Sequence, residues 1–369
     1  MRFFCVCLLL LCLGSCNIGE KSNAKYETVT LNDETLPEVI PLNLEKLDIP
    51  EDYLMGCASC FVYNDSILLV LKDGDPYPLT HMVTVVNINN GKIIGEYFTR
   101  GQGPMDVLTT IGRLSNNYLD IRCYTTNKLI PFNIDSAIIC GNKYTPNIIN
   151  VKNLNFSEWA SISDTSFLIS NSFYFAGSSE CKENSLLPEF YKVNMDGSFY
   201  PKFDLSDYKK IKYSTSDVSS WTISINKEKK RIVCCYKYQP YIKIFDEELN
   251  VIKKIDGPEP DDGKYVPIDN FMFFQKGDGL NHYYNGAYCD DENIFVTNRR
   301  NHKCKDVENY VEIEKEKREI FRLDWDGNII GRYSAKGKNI VRLSYSKNSN
   351  TLYLWVYEDE RSMYKAKLD

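Results

Sequence analysis

The chain holds only three histidines, His81, His282 and His302. Three imidazoles with one open position would suit a catalytic zinc ion. They stand far apart, without the short spacing of an HExxH helix, so nothing local brings them together. Asp261-Asp262, Asp290-Asp291 and Glu358-Asp359-Glu360 offer oxygen ligands for calcium, yet none alternates donors along a loop as an EF-hand does. Zinc and calcium therefore enter only as alternatives, and no cofactor is expected. Cys57-Ala-Ser-Cys60 has redox CxxC spacing, but that motif works at a helix N-terminus, where the dipole lowers a thiol pKa. Here it lies in a strand pattern, in which positions three apart face opposite ways, so the two cysteines read as small buried hydrophobes. Arg100-Gly101-Gln102-Gly103-Pro104 sets a guanidinium beside two glycine amides, donors that suit a carboxylate or phosphate. The plainer reading is a sharp turn, with Arg100 paired to a nearby carboxylate. Arg299 and Arg300 carry the same two readings. No GxSxG elbow, P-loop, HExxH helix or paired-carboxylate motif is present, so no residue is named as a nucleophile.

The elements that must position these groups are strands. Tyrosine occurs 26 times and phenylalanine 18 times, and short β-branched runs recur along the chain, a composition that favours sheets. Six such runs, each just after a polar turn, begin at Ile67, Tyr118, Phe167, Ile232, Ile294 and Leu352, a mean spacing of about 57 residues and hence of propeller-blade size. A second element follows five of them, a strand, a polar turn and another strand, at Val85, Pro131, Lys192, Lys243 and Arg322. Asn90-Gly91, Asp196-Gly197 and Asp326-Gly327 mark three of its turns as tight hairpins. Ile93-Ile94-Gly95-x-Tyr97 recurs as Ile329-Ile330-Gly331-x-Tyr333. The expected fold is all-β, a six-bladed β-propeller of four-stranded antiparallel blades over residues 39–369. The sixth copy stops at Asp369, before its outer strand, so the ring needs a strand from the N-terminal end to cover that edge. Val39 to Ile49 is the predicted donor.

Ahead of the propeller, Phe3 to Leu13 is apolar, too short to span a bilayer and of signal-peptide length. It closes on Leu13-Gly14-Ser15-Cys16, which resembles the lipobox of bacterial lipoproteins. Residues 1–15 are thus expected to be a signal peptide, with Cys16 lipidated and 16–38 a polar tether. Several acyl chains on one residue give stable attachment at ~0.8 kcal/mol per buried methylene. Cleavage leaves nine cysteines of the original 13 once the lipidated Cys16 is set aside; an odd number cannot all pair internally. The net charge of −6 leaves no basic footprint for nucleic acid.

Arg100-Gly101-Gln102-Gly103-Pro104 also resembles the Gly-x-Gly-Pro-Gly-Glu-Phe signature of TolB-like six-bladed propeller lipoproteins of Bacteroides-type bacteria, with Met105, Asp106 and Val107 in place of Gly-Glu-Phe. The resemblance extends to the lipobox, the length and the blade repeat. It implies a propeller fold and attachment to the cell envelope, at the outer membrane facing periplasm or exterior, and leaves the chemistry open. Loops joining strands two and three, and those joining blades, open on one propeller face. These are Lys72 to His81, Arg100 to Asp106, Thr125 to Lys128, Lys237 to Tyr241, Gly257 to Tyr284 and Asn298 to Arg318, the two longest being lid candidates. Arg100, Gln102, Asp75, Tyr238, Arg299 and Arg300 are the ligand-binding candidates there. The expected function is non-catalytic binding of a peptide, glycan or protein partner on this face. The alternative is a divalent-metal-dependent hydrolase or lyase with its site at the central channel, which convergence of His81, His282 and His302 would favour.

Overall fold

Strands of alternating or wholly apolar character, separated by polar turns, pair with their sequence neighbours because a hairpin is the shortest way to satisfy both backbones. The computed structural model describes residues 26–32, 34–73, 81–123, 125–151, 158–163, 165–170, 190–202, 221–237, 239–258, 265–268, 271–274, 280–304, 318–357 and 361–368. The fold is a six-bladed β-propeller of antiparallel blades. Blade one is Cys57–Tyr63, Ile67–Lys72, His81–Asn87 and Lys92–Thr99. Blade two is Thr110–Ser115, Tyr118–Cys123, Lys128–Asn133 and Ile149–Asn150, and blade three is Trp159–Ser163, Ser166–Ser170, Phe190–Asn194 and Phe199–Lys202. Blade four comprises Trp221–Asn226, Arg231–Tyr236, Tyr241–Asp246 and Val251–Asp256; blade five comprises Leu280–Cys289, Ile294–Cys304, Arg318–Leu323 and Ile329–Ser334. Blade six has Ile340–Ser346, Thr351–Tyr357 and Arg361–Lys367 from the C-terminal end.

Its fourth strand comes from the other end of the chain. Glu45–Lys46 pairs antiparallel with Tyr364 and Lys365, inside the predicted donor segment. The same N-terminal segment does more than close the ring. Glu27–Thr30 runs parallel to Val251–Asp256 on the outer edge of blade four, and Ile40–Pro41 runs parallel to Ile329–Ser334 on blade five. The chain therefore belts three successive blades before it enters blade one, and each step seats a leucine. Leu31, Leu42 and Leu47 donate their amides to the carbonyls of Asp256, Ser334 and Met363, each at 2.9 Å, while Leu31 and Leu42 are 7% and 3% exposed. Residues 27–30 thus belong to the folded body, which corrects the expectation of a tether running to residue 38. Thr28 and Thr30 alternate with Val29, a pattern too short to stand out until an edge is there to receive it.

Asp65 locks the seam between blades one and six. Its carboxylate accepts from Ser346 (2.8 Å), Ser349 (2.5 Å) and Tyr353 (2.8 Å). Ser344 adds a hydroxyl bond of 3.0 Å to the Val62 carbonyl.

The hairpin turns form where glycine permits positive φ, as at Gly197 (+79°) and Gly327 (+83°). The repeated Ile-Ile-Gly-x-Tyr phrase has a packing cause: a Cβ on Gly95 or Gly331 would collide with the ring of Tyr97 or Tyr333 two residues on. Blade two departs from the pattern. Pro131 to Ile139, expected as strand, turn and strand, instead ends its third strand at Asn133 and continues as the helix Ile134–Cys140. Asn133 Oδ1 accepts from the Ser136 amide at 2.8 Å, an N-cap with Asp135 in the first turn, and no glycine supplies a hairpin.

Cys57 and Cys60 also differ from expectation. Cys57 pairs with Lys72 and Ser59 with Leu71, so Ala58 is an extra residue in a β-bulge. The bulge returns both thiols to one face and one apolar cluster. Both are 1% exposed, and burial pushes the Cys60 thiol well up, as its contact with Cys57 also does. They are buried, as expected of small hydrophobes, but side by side.

Leu31 and Leu42 contribute about 2 kcal/mol each by burial. At roughly 2–4 °C per kcal/mol for a large domain, a chain lacking residues 17–50 is expected to melt roughly 10 °C lower by circular dichroism, with an open edge that promotes dimers in light scattering.

Candidate functional site

The first strands of the six blades line the central channel, with Phe61, Arg113, Trp159, Ile223, Gly286 and Arg342 facing one cavity of about 190 Å³. That is far more than the ~10–15 Å³ a single water needs. Small residues on blades three and five, Ala160, Gly286 and Ala287, leave the room that the two arginines enter. Deeper in the channel Ser115 Oγ donates to the Ile225 carbonyl at 2.7 Å. Blades two and four are not neighbours, so this bond crosses the channel and gives the cavity a floor. Lys237, in the strand-two-to-three loop of blade four, and Glu158, just ahead of blade three, also line it. Both connections lie at the end where the loop face was expected, because antiparallel strands return each such connection to the same side.

Arg113 is held from three directions. One Nη contacts Glu158, the other lies 3.5 Å from the Ile223 carbonyl, and the guanidinium stands 5.1 Å from the ring centroid of Trp159. Side chains of Arg113 and Glu158 are 14% and 16% exposed. Burial pushes the Glu158 carboxyl up, and Arg113 and Arg342 pull against that shift. Trp159 is itself fixed: its Nε1 donates to the Asp120 carbonyl at 3.1 Å. The Asp120 carboxylate accepts from the Ser161 amide at 2.8 Å, stitching blade two to blade three. Burial raises the Asp120 carboxyl, which Lys227 opposes. The site is thus a floored cup with a pre-oriented guanidinium, a second arginine and an aromatic wall. Such a cup can hold a ligand in one orientation.

Sequence reading looked for ligand contacts in loops and missed Arg113 and Arg342, which stand inside first strands. A signal existed: the tripeptide Arg-Leu-Ser occurs in the first strands of blades two and six, as Arg113-Leu114-Ser115 and Arg342-Leu343-Ser344, the second copy lying two residues further from its hairpin turn. In both copies the serine hydroxyl bonds a first strand of another blade, Ser115 to Ile225 and Ser344 to Val62.

Among the predicted residues, Arg100 and Gln102 are exposed on the turn after blade one. The glycine amides beside them are engaged within that turn. Gly101 N–H donates to the Val107 carbonyl at 3.1 Å and Gly103 N–H to Asp106 Oδ2 at 3.1 Å. Thr99 donates to Asp106 Oδ1 at 2.7 Å, and buried Lys128 ties down the carbonyls of Gly103 (2.7 Å) and Asp106 (2.5 Å). A Cβ on Gly101 or Gly103 would strike the Asp106 carboxylate. The glycines therefore make room for an internal anion, Asp106, in place of an external one.

His81 opens the third strand of blade one, its Nδ1 3.7 Å from Glu96. His282 and His302 are not in loops: they are cross-strand partners in the long first and second strands of blade five, with blade six between them and His81. Residues 280–284 and 298–304 are strand, and Tyr265–Ile268 pairs with Phe271–Phe274 in a separate hairpin, so the two expected lid loops are partly sheet. Asp75, Tyr238 and the side chains of Arg299, Arg300, His282 and His302 lie outside the described residues. Among the described residues, no three His, Cys, Asp or Glu side chains are grouped to hold a metal. Asp290 caps its own turn, accepting from the amides of Glu292 (2.8 Å) and Asn293 (2.6 Å), and Asp291 and Glu292 pair with Lys347.

The Thr99 hydroxyl and the Gly103 amide, with Lys128 nearby, hold the Asp106 carboxyl below its ordinary value. Its clamp is therefore present above the usual aspartate range near ~3.9 and is lost as pH falls through the lowered folded value. Asp106→Asn is expected to speed amide hydrogen exchange across residues 101–106 severalfold at neutral pH, while the melting temperature stays within about 2 °C of the parent, as for a surface change.

No protein-family model matches the sequence, and no curated protein does. Solved structures do resemble the fold. A protein of Bacteroides fragilis described as exported shares 12% identity over 92% of this chain and 98% of its own, with a TM-score of 0.50. A DUF4221 family member from Bacteroides vulgatus shares 13% identity over 89% of this chain and 97% of its own, with a TM-score of 0.53. At these identities the likeness is one of fold alone.

Proposed function

We propose that this chain is a lipid-anchored, non-catalytic cell-envelope protein that binds its ligand at the channel mouth of the propeller. The observation that carries the reading is the fixation of Arg113 by Glu158, Trp159 and the Ile223 carbonyl inside a floored cavity. A charged group held rigid before any ligand arrives loses little entropy on binding, which is how recognition sites are built. Peptides, glycans and protein partners are the ligand classes that a loop-rimmed cup of this kind receives. The exposed loop residues Arg100 and Gln102 would contribute at the rim, as would Asp75, Tyr238, Arg299 and Arg300.

Envelope attachment is supported by the apolar run Phe3 to Leu13 and by Leu13-Gly14-Ser15-Cys16, and by the exported Bacteroides fragilis protein of similar fold. Together with the Gly-x-Gly-Pro turn, these features support a place beside the TolB-like propeller lipoproteins. Among the described residues no helix is long and apolar enough to cross a membrane, so attachment would rest on Cys16. The stretch from Cys16 to the first belt strand at Glu27 spans no more than about 40 Å fully extended. The propeller is therefore held close to its membrane, with blade four nearest the anchor point.

Cys16→Ser is expected to move the protein from the membrane pellet to the soluble envelope fraction; continued sedimentation with membranes would refute the anchor. A panel of peptides and oligosaccharides presented to the mature chain is expected to yield a binder whose signal falls at least tenfold in Arg113→Ala, with the probe recovered intact. Turnover of the bound probe would overturn the non-catalytic reading.

A further inference from the structure

We infer that the propeller meets its membrane with the hairpin-turn face of blades three to five, and that the channel mouth, on the opposite face, opens away from the lipid. The inference deepens the envelope reading and rests on its anchor at Cys16.

The direction of the first belt strand is the first ground. Antiparallel blades put the turns between strands one and two, and between strands three and four, on the face opposite the loops. Glu27–Thr30 runs parallel to Val251–Asp256, with Glu27 beside Lys253 and Thr30 beside Asp256. Val251–Asp256 begins just after the turn at 247–250 and ends beside Tyr241, at the loop between strands two and three. The belt therefore travels from the turn face toward the loop face, and the chain that precedes it comes from the turn side. Side chains hold that entry in place. Glu27 pairs with Lys253 Nζ at 3.1 Å, and the same ammonium donates to the Asp326 carbonyl at 2.7 Å, in the strand-three-to-four turn of blade five.

Reach is the second. The chain from Cys16 to Glu27 spans no more than about 40 Å. An anchor on the loop side would have to double back along blade four, about 10 Å from Lys253 to Asp256 alone at ~3.3 Å per residue, and then clear the loops that rim the channel. An anchor on the turn side needs none of that length.

The third ground is the surface beside the entry. Phe199 and Tyr200 on blade three and Ile330 on blade five are exposed, and each stands within three residues of a hairpin glycine, Gly197 or Gly327. Blades three and five flank blade four, so these apolar side chains rim the turn face on both sides of the tether. Aromatic and branched aliphatic groups at such a rim suit the boundary between headgroups and acyl chains. Exposed apolar side chains of the loop face, Met55, Met105 and Tyr357, stand beside blades one and six, away from the tether. With the turn face on the lipid, a ligand reaches Arg113 from the aqueous side.

The test is photo-cross-linking of the acylated chain, purified from membranes and reconstituted in vesicles of phosphatidylethanolamine and phosphatidylglycerol that carry a diazirine on the headgroup. Lipid adducts are mapped by mass spectrometry after digestion. They are expected to be about fivefold or more enriched in peptides covering 195–202, 226–231, 247–254 and 324–332 over those covering 100–106, 237–241 and 354–357. Phe199→Ser combined with Tyr200→Ser is expected to cut the turn-face adducts severalfold, while circular dichroism is unchanged and the acylated protein still sediments with the vesicles. Equal labelling of the two faces, or an excess on the loop face, would overturn the inference while the anchor stands. Undiminished turn-face labelling in the folded double variant would overturn the contact assigned to the apolar rim. A chain without acyl mass on Cys16, or one that stays in the supernatant of the vesicles, would sink the anchor and the inference with it.

Discussion

A blade's outer strand carries a row of unpaired amides and carbonyls, and the rest of this molecule depends on how those edges are covered. One N-terminal pass serves three blades: Glu27–Thr30 on blade four, Ile40–Pro41 on blade five and Glu45–Lys46 on blade six. The last of these is the ring closure itself, since blade six has no outer strand of its own. Closure joins the two chain ends, and the half-buried Asp65, with three hydroxyl donors from blade six, reinforces the same seam with hydrogen bonds that a carboxylate accepts more strongly than a neutral oxygen does.

A closed ring can hold what an open sheet could not. Arg113, Glu158 and Arg342 sit in a channel whose walls are six separate first strands, and their relative positions are only as constant as the ring. Bringing ionised groups out of water is costly unless partners are placed beforehand. Here the partners come from different blades: Trp159 from blade three and the Ile223 carbonyl from blade four hold the arginine of blade two. The Ser115 bond to Ile225 across the channel ties non-neighbouring blades together beneath it. Fold stability and the shape of the cup are therefore coupled through the same strands.

The contrast between the two glycine-rich features shows how local chemistry can mislead. The turn Gly101-Gln102-Gly103 has the composition of an anion nest, and it does enclose an anion, but the anion is Asp106 from the same turn. Inner-strand arginines carry no such signature, being single charged residues in short apolar runs, yet they face the cavity. The CxxC pair teaches the same lesson: strand alternation separates Cys57 from Cys60, and the extra residue Ala58 brings them back to one face.

Periodicity in the chain was enough to read the blade count, the strand-turn-strand units and the missing outer strand of the last blade, because these follow from alternation of side chains and from glycine at hairpin turns, both local properties. Short connections such as Arg100 to Asp106 were legible for the same reason, whereas the two longest predicted loops are partly sheet. The helix Ile134–Cys140 was hidden by apolar residues that suit strand and helix alike, and a cap at Asn133 decided it. What only the tertiary structure settled were relations between residues remote in sequence: the belt of Leu31, Leu42 and Leu47, the cross-strand meeting of His282 with His302, and the union of Arg113, Glu158 and Arg342 around one cavity. Those relations arise from ring geometry, which sets the first strand of blade two beside that of blade four, more than a hundred residues away, and no pattern confined to neighbouring residues encodes which side chains a closed ring will bring face to face.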